Sequence, residues 1–567
     1  MRQKNIVASP NRPVLTWSLI LAVGLLTVCP VAMLVFGSFS EGLGAFGTFT
    51  LDKYAHAYGD PALAAIVANT LIFVLGSAGL STLLALFLAY LNTRTDIPFK
   101  VIFRIISILP MMVPHILFAV SWALLLNPSN GILNLFCRQV LGFDASPFNI
   151  YSLGGMILVE GLLDLPIAYL ILAPALASFD VSLEESSRVC GASTWRTLTR
   201  VTFPVLRPAI LAAFILSLVR SLASFAVPSV LGMPGRIYVL ATHIYRSIAT
   251  GFAADFGAAA AIGMSVLAAS VSLIYVYRHL TAESGRFVTI SSRGWKPTVI
   301  GLGRARRPLF GVVGLLSFIL IVLPVLVLVY TSLTPYSMAP SARAFSLMGL
   351  RHWREVLADP ISLLSLKNSV ILGVGGATLG MALSVLVAYV VVKVRTAASA
   401  ALETLTFLSF SFPGIVIGVG FMWFFVRTPL YATIWALLIG YIATYLPYGV
   451  RPLASAFVQV HAHLEESSLV CGAGPVTTMR RIVLPLLVPG MVSAWILMAT
   501  MFVRELTLSV VLSRPGTEVI AVQILRFAED GLWGKLSALG LIMIVISTSL
   551  VVLATLVGRK FKPVEEG

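Results

Sequence analysis

Residues Leu183 to Pro208 read LEESSRVCGASTWRTLTRVTFPVLRP, and residues Leu464 to Pro489 read LEESSLVCGAGPVTTMRRIVLPLLVP. The second copy begins 281 positions after the first, close to half of the 567-residue chain. Self-similarity at that distance is an internal duplication, and it decides the architecture before any single helix is assigned. Both copies are polar loops in a chain that is 58% hydrophobic and only 11% charged. The repetition of LEESS and VCGA therefore needs a physical reason.

Each copy predicts a short helix, a sharp bend and a second helix. Ser182 and Glu185 have capping-box spacing, so the Ser182 hydroxyl is expected to cap the first helix. The second copy has His463 at that place and lacks the box, while Glu465 and Glu466 still fall in a first turn, where the helix dipole favours acids. Gly191-Ala192 and Gly472-Ala473 follow, and glycine permits the left-handed residue that ends a helix. Ser193 in one copy and Gly474-Pro475 in the other are good starts for the second helix. Arg200 matches Arg481, and Pro204 and Pro485 lead into the next apolar run.

Around these loops the chain reads as an all-α polytopic membrane protein. Its mean hydropathy is +0.96, and soluble domains carry about 25% charged residues. Roughly 20 apolar residues cross a bilayer as a helix. The apolar runs fall near 15–36, 68–90, 103–126, 153–176, 208–231 and 256–276, then 309–330, 369–392, 405–425, 431–451, 490–512 and 536–557. That is about 12 transmembrane helices in two six-helix repeats. They predict a first transmembrane domain over 1–277, a basic linker over 278–308 and a second transmembrane domain over 309–567.

Six is an even number, so the two repeats are parallel, related by an axis along the membrane normal. With the N-terminus inside, about 25 of the Lys and Arg residues fall in cytoplasmic segments and about 12 outside. Both LEESS loops and both termini then face the cytoplasm. The net charge of +16 is spread in short clusters between apolar runs, which fits topology and not a nucleic-acid partner. Four cysteines (Cys29, Cys137, Cys190 and Cys471) make neither a disulfide framework nor a metal spacing. The first apolar run is too long for the core of a secretory signal and predicts an uncleaved span.

Ionisable residues fall inside these runs. Glu160 and Asp164 are four apart and share a helix face; at the 281 offset their counterparts are Tyr441 and Tyr445. Arg220 and Arg504 match through a slightly larger offset, and Glu505 follows. Such groups face a bundle interior or a water path. One reading has Glu160 and Asp164, with Tyr441 and Tyr445 opposite, lining a translocation path and handling a hard cation through oxygen ligands. The other, favoured because buried charges usually pair, has the carboxylates locked to Arg220 or Arg504.

The repeated loop resembles the cytoplasmic E-A-A-x-x-x-G-A motif of permeases in binding-protein-dependent ABC importers, with Ser-Ser in place of Ala-Ala and the Gly-Ala spacing kept. The resemblance covers essentially the whole chain and is similar in particular to fused, double-length permeases of the ferric-iron type. Pro147–Gly161, Phe225–Tyr245 and Arg504–Leu525 look like that subgroup. The resemblance implies the type I importer permease fold in a bacterial inner membrane. It implies that Glu184, Glu185, Gly191, Ala192, Glu465, Glu466, Gly472 and Ala473 couple to two ABC ATPase subunits, and that a periplasmic or lipid-anchored solute-binding protein docks outside. No G-x-x-x-x-G-K-[ST] loop is present, so the chain is expected to be no enzyme and to bind no cofactor or metal of its own. ATP is then used by the partner subunits. Ferric iron is the expected solute; phosphonate, polyamine and thiamine importers share the architecture. The competing reading of the same residues is an ion-gradient-driven secondary transporter with Glu160 and Asp164 as a proton relay.

Overall fold

The computed structural model describes residues 12–41, 49–108, 113–249, 254–282, 301–394 and 396–559. Most of the expected basic linker, with Arg286, Arg293 and Lys296, lies outside them. So do Pro110 and the C-terminal Lys560 and Lys562.

Among the described residues, nine helices are long and apolar enough to cross a membrane. Eight belong to the frame used below: α1 (Arg12–Ser38), α2 (Ala62–Arg94), α4 (Leu153–Ala177), α6 (Trp195–Ala223), α7 (Phe256–Ala282), α8 (Gly303–Leu333), α9 (Pro360–Val394) and α13 (Pro475–Val503). The ninth is α14 (Trp533–Arg559). The remaining numbers belong to α3 (His115–Leu126), α5 (Val181–Val189), α10 (Gly414–Phe425), α11 (Ile434–Gln459) and α12 (Ala462–Val470).

The count of nine differs from the expected twelve for physical reasons. The third and ninth expected spans are not single helices. Lys100–Ile108 precedes α3, and Ala397–Leu408 precedes α10. Pro114 and Pro413, both extended at ψ 130° and 134°, stand immediately before α3 and α10. Proline donates no hydrogen bond and starts a helix more readily than it continues one. At 1.5 Å per residue a 12-residue helix reaches only about 18 Å, short of a hydrocarbon core of about 30 Å. The tenth, α11, is long, but its tyrosines, prolines and Arg451 dilute its apolar character.

The expected spans 208–231 and 490–512 are displaced. The fifth-position helices start at Trp195 and Pro475 and stop at Ala223 and Val503. The apolar residues beyond them, among them Phe225, Val227, Leu231, Leu508 and Leu512, are buried in connecting segments against the protein. Hydropathy measures apolar content and does not tell lipid from protein as the surrounding.

The two halves follow one another element by element. From α3 to α10 the offset is 299, and from α4 to α11 it is 281. The change of 18 is taken up between α3 and α4, where 26 residues holding the helix Ile132–Gln139 stand against 8 residues in the second half.

The halves also interlock. α1 packs on α10, and α8 on α3. At the first contact a Cβ on Gly420 would overlap the Pro30 carbonyl, so a bare glycine is what lets these backbones meet. At the second, Ser121 occupies the equivalent position and its Oγ donates to the Pro324 carbonyl at 3.1 Å. The first helix of each half thus leans on the broken helix of the other.

Candidate functional site

The two loops share one geometry. α5 ends with Gly191 at φ +82°, and α12 ends with Gly472 at φ +82°. In the first, the Ala192 N–H donates to the Ser187 carbonyl at 3.1 Å and the Gly191 N–H to Arg188 at 2.9 Å. In the second, Ala473 donates to Ser468 at 3.1 Å and Gly472 to Leu469 at 3.0 Å. These paired six-to-one and five-to-two bonds are a Schellman ending, whose left-handed residue glycine adopts without steric cost. Across the bend, the hydroxyls of Ser187 and Thr197 lie 3.0 Å apart, and those of Ser468 and Thr478 2.9 Å apart. Each loop is therefore a fixed angle between two helices.

The second helix of each loop is the start of the next span. Ser193 Oγ accepts from the Arg196 N–H at 3.3 Å, and Gly474-Pro475 opens α13. Both helices carry a π-helical turn, Leu198–Thr202 and Met479–Val483. Pro204 and Pro485 lie just beyond and can donate nothing to the carbonyls of Arg200 and Arg481, which displaces the hydrogen-bond ladder there.

The capping box does not form. Asp180 stands at the cap and accepts from the Ser182 N–H at 3.0 Å, so the helix starts at Val181 and Ser182 is already in its first turn. His461 occupies the equivalent place in the second loop, with no side-chain cap. His463 lies in the first turn, its Nδ1 3.1 Å from Glu466. The loops remain unequal, through Asp180 and His461 and not through Ser182.

The glutamates divide into inner and outer pairs. Glu184 is buried and accepts from Thr202 Oγ1 at 2.8 Å, while Glu465 lies 2.9 Å from Lys393 Nζ. Glu185 and Glu466 are on the outer side of the same helices. Beside them both loops present apolar residues at matched positions: Leu183, Val189 and Trp195 in the first, Leu464, Val470 and Val476 in the second. Val189 and Val470 are each 88% exposed. These six were missed in the sequence, although their recurrence in two polar loops was the available signal. Matched apolar residues held out on such a bend are the kind of surface a partner protein covers.

The second candidate region is a buried belt of charge where α4 meets α6. Asp164 Oδ1 accepts from Arg220 Nε at 2.8 Å, and Oδ2 from Ser221 Oγ at 3.1 Å. Glu160 accepts from Ser224 Oγ at 2.8 Å. Arg220 Nη2 also lies 3.1 Å from His115 Nε2, at the start of α3. In the second half the roles are exchanged. Tyr445 donates to Glu505, whose other oxygen accepts from the Leu508 N–H at 2.8 Å. Tyr441 lies 2.6 Å from Ser509 Oγ.

Glu160, Asp164 and Arg220 are thus brought together, as are Tyr445 and Glu505. The two tyrosines are engaged within their own half and do not complete a site with Glu160 and Asp164. The offset of 281 runs unbroken from α6 into α13, so Arg220 stands one turn earlier than Arg504, and no insertion relates them. Arg504 donates to Met501 Sδ at 3.0 Å. His115 was missed, although an imidazole beginning an apolar helix after a proline is itself a signal.

The family described as "Binding-protein-dependent transport system inner membrane component" matches twice, over residues 81–283 and 380–563. The ferric transport system permease protein FbpB of Actinobacillus pleuropneumoniae is 30% identical over 543 residues, covering 94% of this chain and 76% of that protein. The Fe(3+)-transport system permease protein FbpB 2 of Haemophilus influenzae is 23% identical, covering 86% of this chain and 88% of its own length. The spermidine/putrescine transport system permease protein PotC of Haemophilus influenzae is 28% identical over 239 residues, which is 42% of this chain and 91% of that shorter protein.

Proposed function

The chain belongs to the binding-protein-dependent transport system inner membrane component family, and from that premise we propose that it supplies both transmembrane domains of an ATP-driven importer for ferric iron. It is a multi-pass membrane protein built as a fused pair of permease repeats. The observation that carries the reading is the duplicated bend, with the same Schellman ending and exposed apolar residues at the same three positions in each half. A surface made twice at equivalent places fits a partner present twice, which in this family is an ABC ATPase.

On this reading Glu184, Glu185, Gly191, Ala192 and their counterparts Glu465, Glu466, Gly472 and Ala473 form the two coupling loops on the cytoplasmic face, with both termini on the same side. ATP binding by the two subunits draws the loops together, and the rigid bends pass that displacement to α6 and α13. Hydrolysis belongs to the partners, which hold the nucleotide. A solute-binding protein docks on the opposite face. Ferric iron as solute is supported by two relatives that match most of the chain and bear ferric permease names; polyamine transport follows only from a half-length relative.

For the charged belt, the hydrogen bonds support the structural role. Asp164 accepts from Arg220 and Ser221 through both oxygens and Glu160 from Ser224 through one, so the carboxylates fasten α4 to the end of α6. Arg220, Arg504, Glu505, Tyr441 and Tyr445 then set the packing around the path more than they bind what passes.

The test is reconstitution of the chain with its two ATPase subunits and binding protein in vesicles. Ferric iron, spermidine, thiamine and a phosphonate are each screened for binding-protein-dependent ATP hydrolysis and uptake. The expected result is uptake of iron that stops without ATP and persists with an uncoupler. Uptake that survives loss of the ATPase and is abolished by the uncoupler would replace the importer by a gradient-driven transporter.

A further inference from the structure

Each loop helix lies beside the end of an earlier spanning helix of its own half, and the same positions meet in both. α2 ends at Arg94, and α9 carries Lys393 in its last turn. These two cations correspond at the offset of 299. Phe179 and Val460 correspond at 281, as do Glu184 and Glu465. Arg94 Nη2 donates to the Phe179 carbonyl at 3.2 Å, and its guanidinium lies 4.9 Å from the centre of the Phe179 ring. Lys393 Nζ donates to the Val460 carbonyl at 2.9 Å. In both halves a cation satisfies a carbonyl just past the end of α4 or α11, where helical carbonyls lack partners.

The inner glutamates then diverge. Glu184 bonds Thr202, which ties α5 forward to the first turns of α6. The residue equivalent to Thr202 is Val483, which has no hydroxyl. Glu465 instead pairs with Lys393, and both side chains are mostly buried. The first loop helix is therefore fastened to the span that follows it, and the second is fastened back to α9.

We propose that the Lys393–Glu465 ion pair is a strut joining the second loop helix to α9, so that displacement of that loop moves α9 directly, whereas the matching glutamate of the first loop is bonded forward to α6. The proposal rests on the reading of the loops as ATPase contacts. Both residues are positioning residues: they touch neither nucleotide nor solute. The lysine is held at once by a backbone carbonyl and a carboxylate, which fixes the loop helix relative to α9. Separating the two charges leaves each without its partner in a site with little water, so the pair resists stretching.

The test uses the reconstituted complex and reads solute moved per ATP hydrolysed. Lys393→Met and Glu465→Gln are expected to lower that ratio at least about fivefold, the lower range of coupling between sites, while the ATPase subunits still copurify and hydrolyse ATP. Lys393→Arg, which keeps both contacts, should hold the ratio near that of the unsubstituted chain. Crosslinking from the exposed Cys471 to the ATPase subunit separates the two levels. An absent crosslink in the unsubstituted complex removes the coupling reading itself. A crosslink with unchanged ratios in both charge-removing variants overturns the strut alone. Loss of assembly in both variants assigns the pair to folding and overturns it equally.

Discussion

Asp164 and Glu160 lie one turn apart on α4, yet their surroundings predict different consequences of losing the charge. Asp164 faces a guanidinium 2.8 Å away with no exposure of its own. Asp164→Asn leaves Arg220, whose side chain is 29% exposed, without its hydrogen-bonded counter-charge, a change worth less than the roughly 3–5 kcal/mol of a fully buried pair but more than the loss of one neutral hydrogen bond. Among the described residues the hydrogen bond to the Glu160 side chain comes from the Ser224 hydroxyl, which a glutamine can also bond, so Glu160→Gln should cost about 1 kcal/mol. The expected outcome is a D164N chain with a clearly lower detergent melting temperature and reduced yield beside a near-normal E160Q chain. Equal behaviour of the two would refute the assigned partners. The sequence placed these carboxylates on one buried face through their spacing of four, and pairing with an arginine followed from the cost of burying charge. It could not show that Ser221, Ser224 and His115 complete the set. Serines in apolar helices look ordinary, and their partners lie 57, 64 and 105 residues away along the chain.

At the scale of the element, the bend is the unit on which the proposed coupling rests, and two predictions separate its angle from its surface. Proline at Gly191 or Gly472 is held near φ −65° and cannot reach the +82° seen in both loops. Gly191→Pro and Gly472→Pro are therefore expected to abolish uptake while membrane insertion and residual ATP hydrolysis persist; normal uptake in both would end the coupling role of the bend. Substituting the surface leaves the angle alone. A buried valine contributes about 1.5–3 kcal/mol, so Val189→Asp with Val470→Asp should weaken ATPase subunit binding to the solubilised chain by more than about tenfold. An unchanged titration curve would move the docking face elsewhere. The glycine bend was legible because only a left-handed residue ends a helix in this way. The true cap was not, because Asp180 and Ser182 are both good capping residues and only the packed loop selects between them. The broken helices were equally hidden: apolar content continues through Pro114 and Pro413 although the helix does not.

For the whole molecule, the duplication, which the family model that matches twice bears out, was legible from two matched loops. The way the halves interlock was not. It depends on α1 meeting α10 and α8 meeting α3, contacts between residues about 200 to 390 apart that leave no periodic trace. Those contacts determine what each half can do alone. Gly420 accepts the Pro30 carbonyl only because it lacks a Cβ, and Ser121 holds the Pro324 carbonyl by a hydrogen bond. Each half thus carries a first helix whose resting place is on the other half. The match to a half-length permease over 91% of that protein indicates that one repeat is a complete unit of sequence. In this chain the two repeats are tethered covalently through the residues between α7 and α8. Cutting the chain between residues 290 and 291 and producing the two pieces together should restore a complex that copurifies and transports, whereas either piece alone should do neither. Gly420→Val in the second piece drives a methyl-bearing carbon into the Pro30 carbonyl and should abolish copurification of the cut halves while weakening the tethered chain far less. The tether raises the effective concentration of one half at the other to the millimolar range, enough to mask an interface defect that dilution of separate pieces exposes. Cut halves carrying Gly420→Val that still copurify in full would mean that the α1–α10 contact does not hold the repeats together.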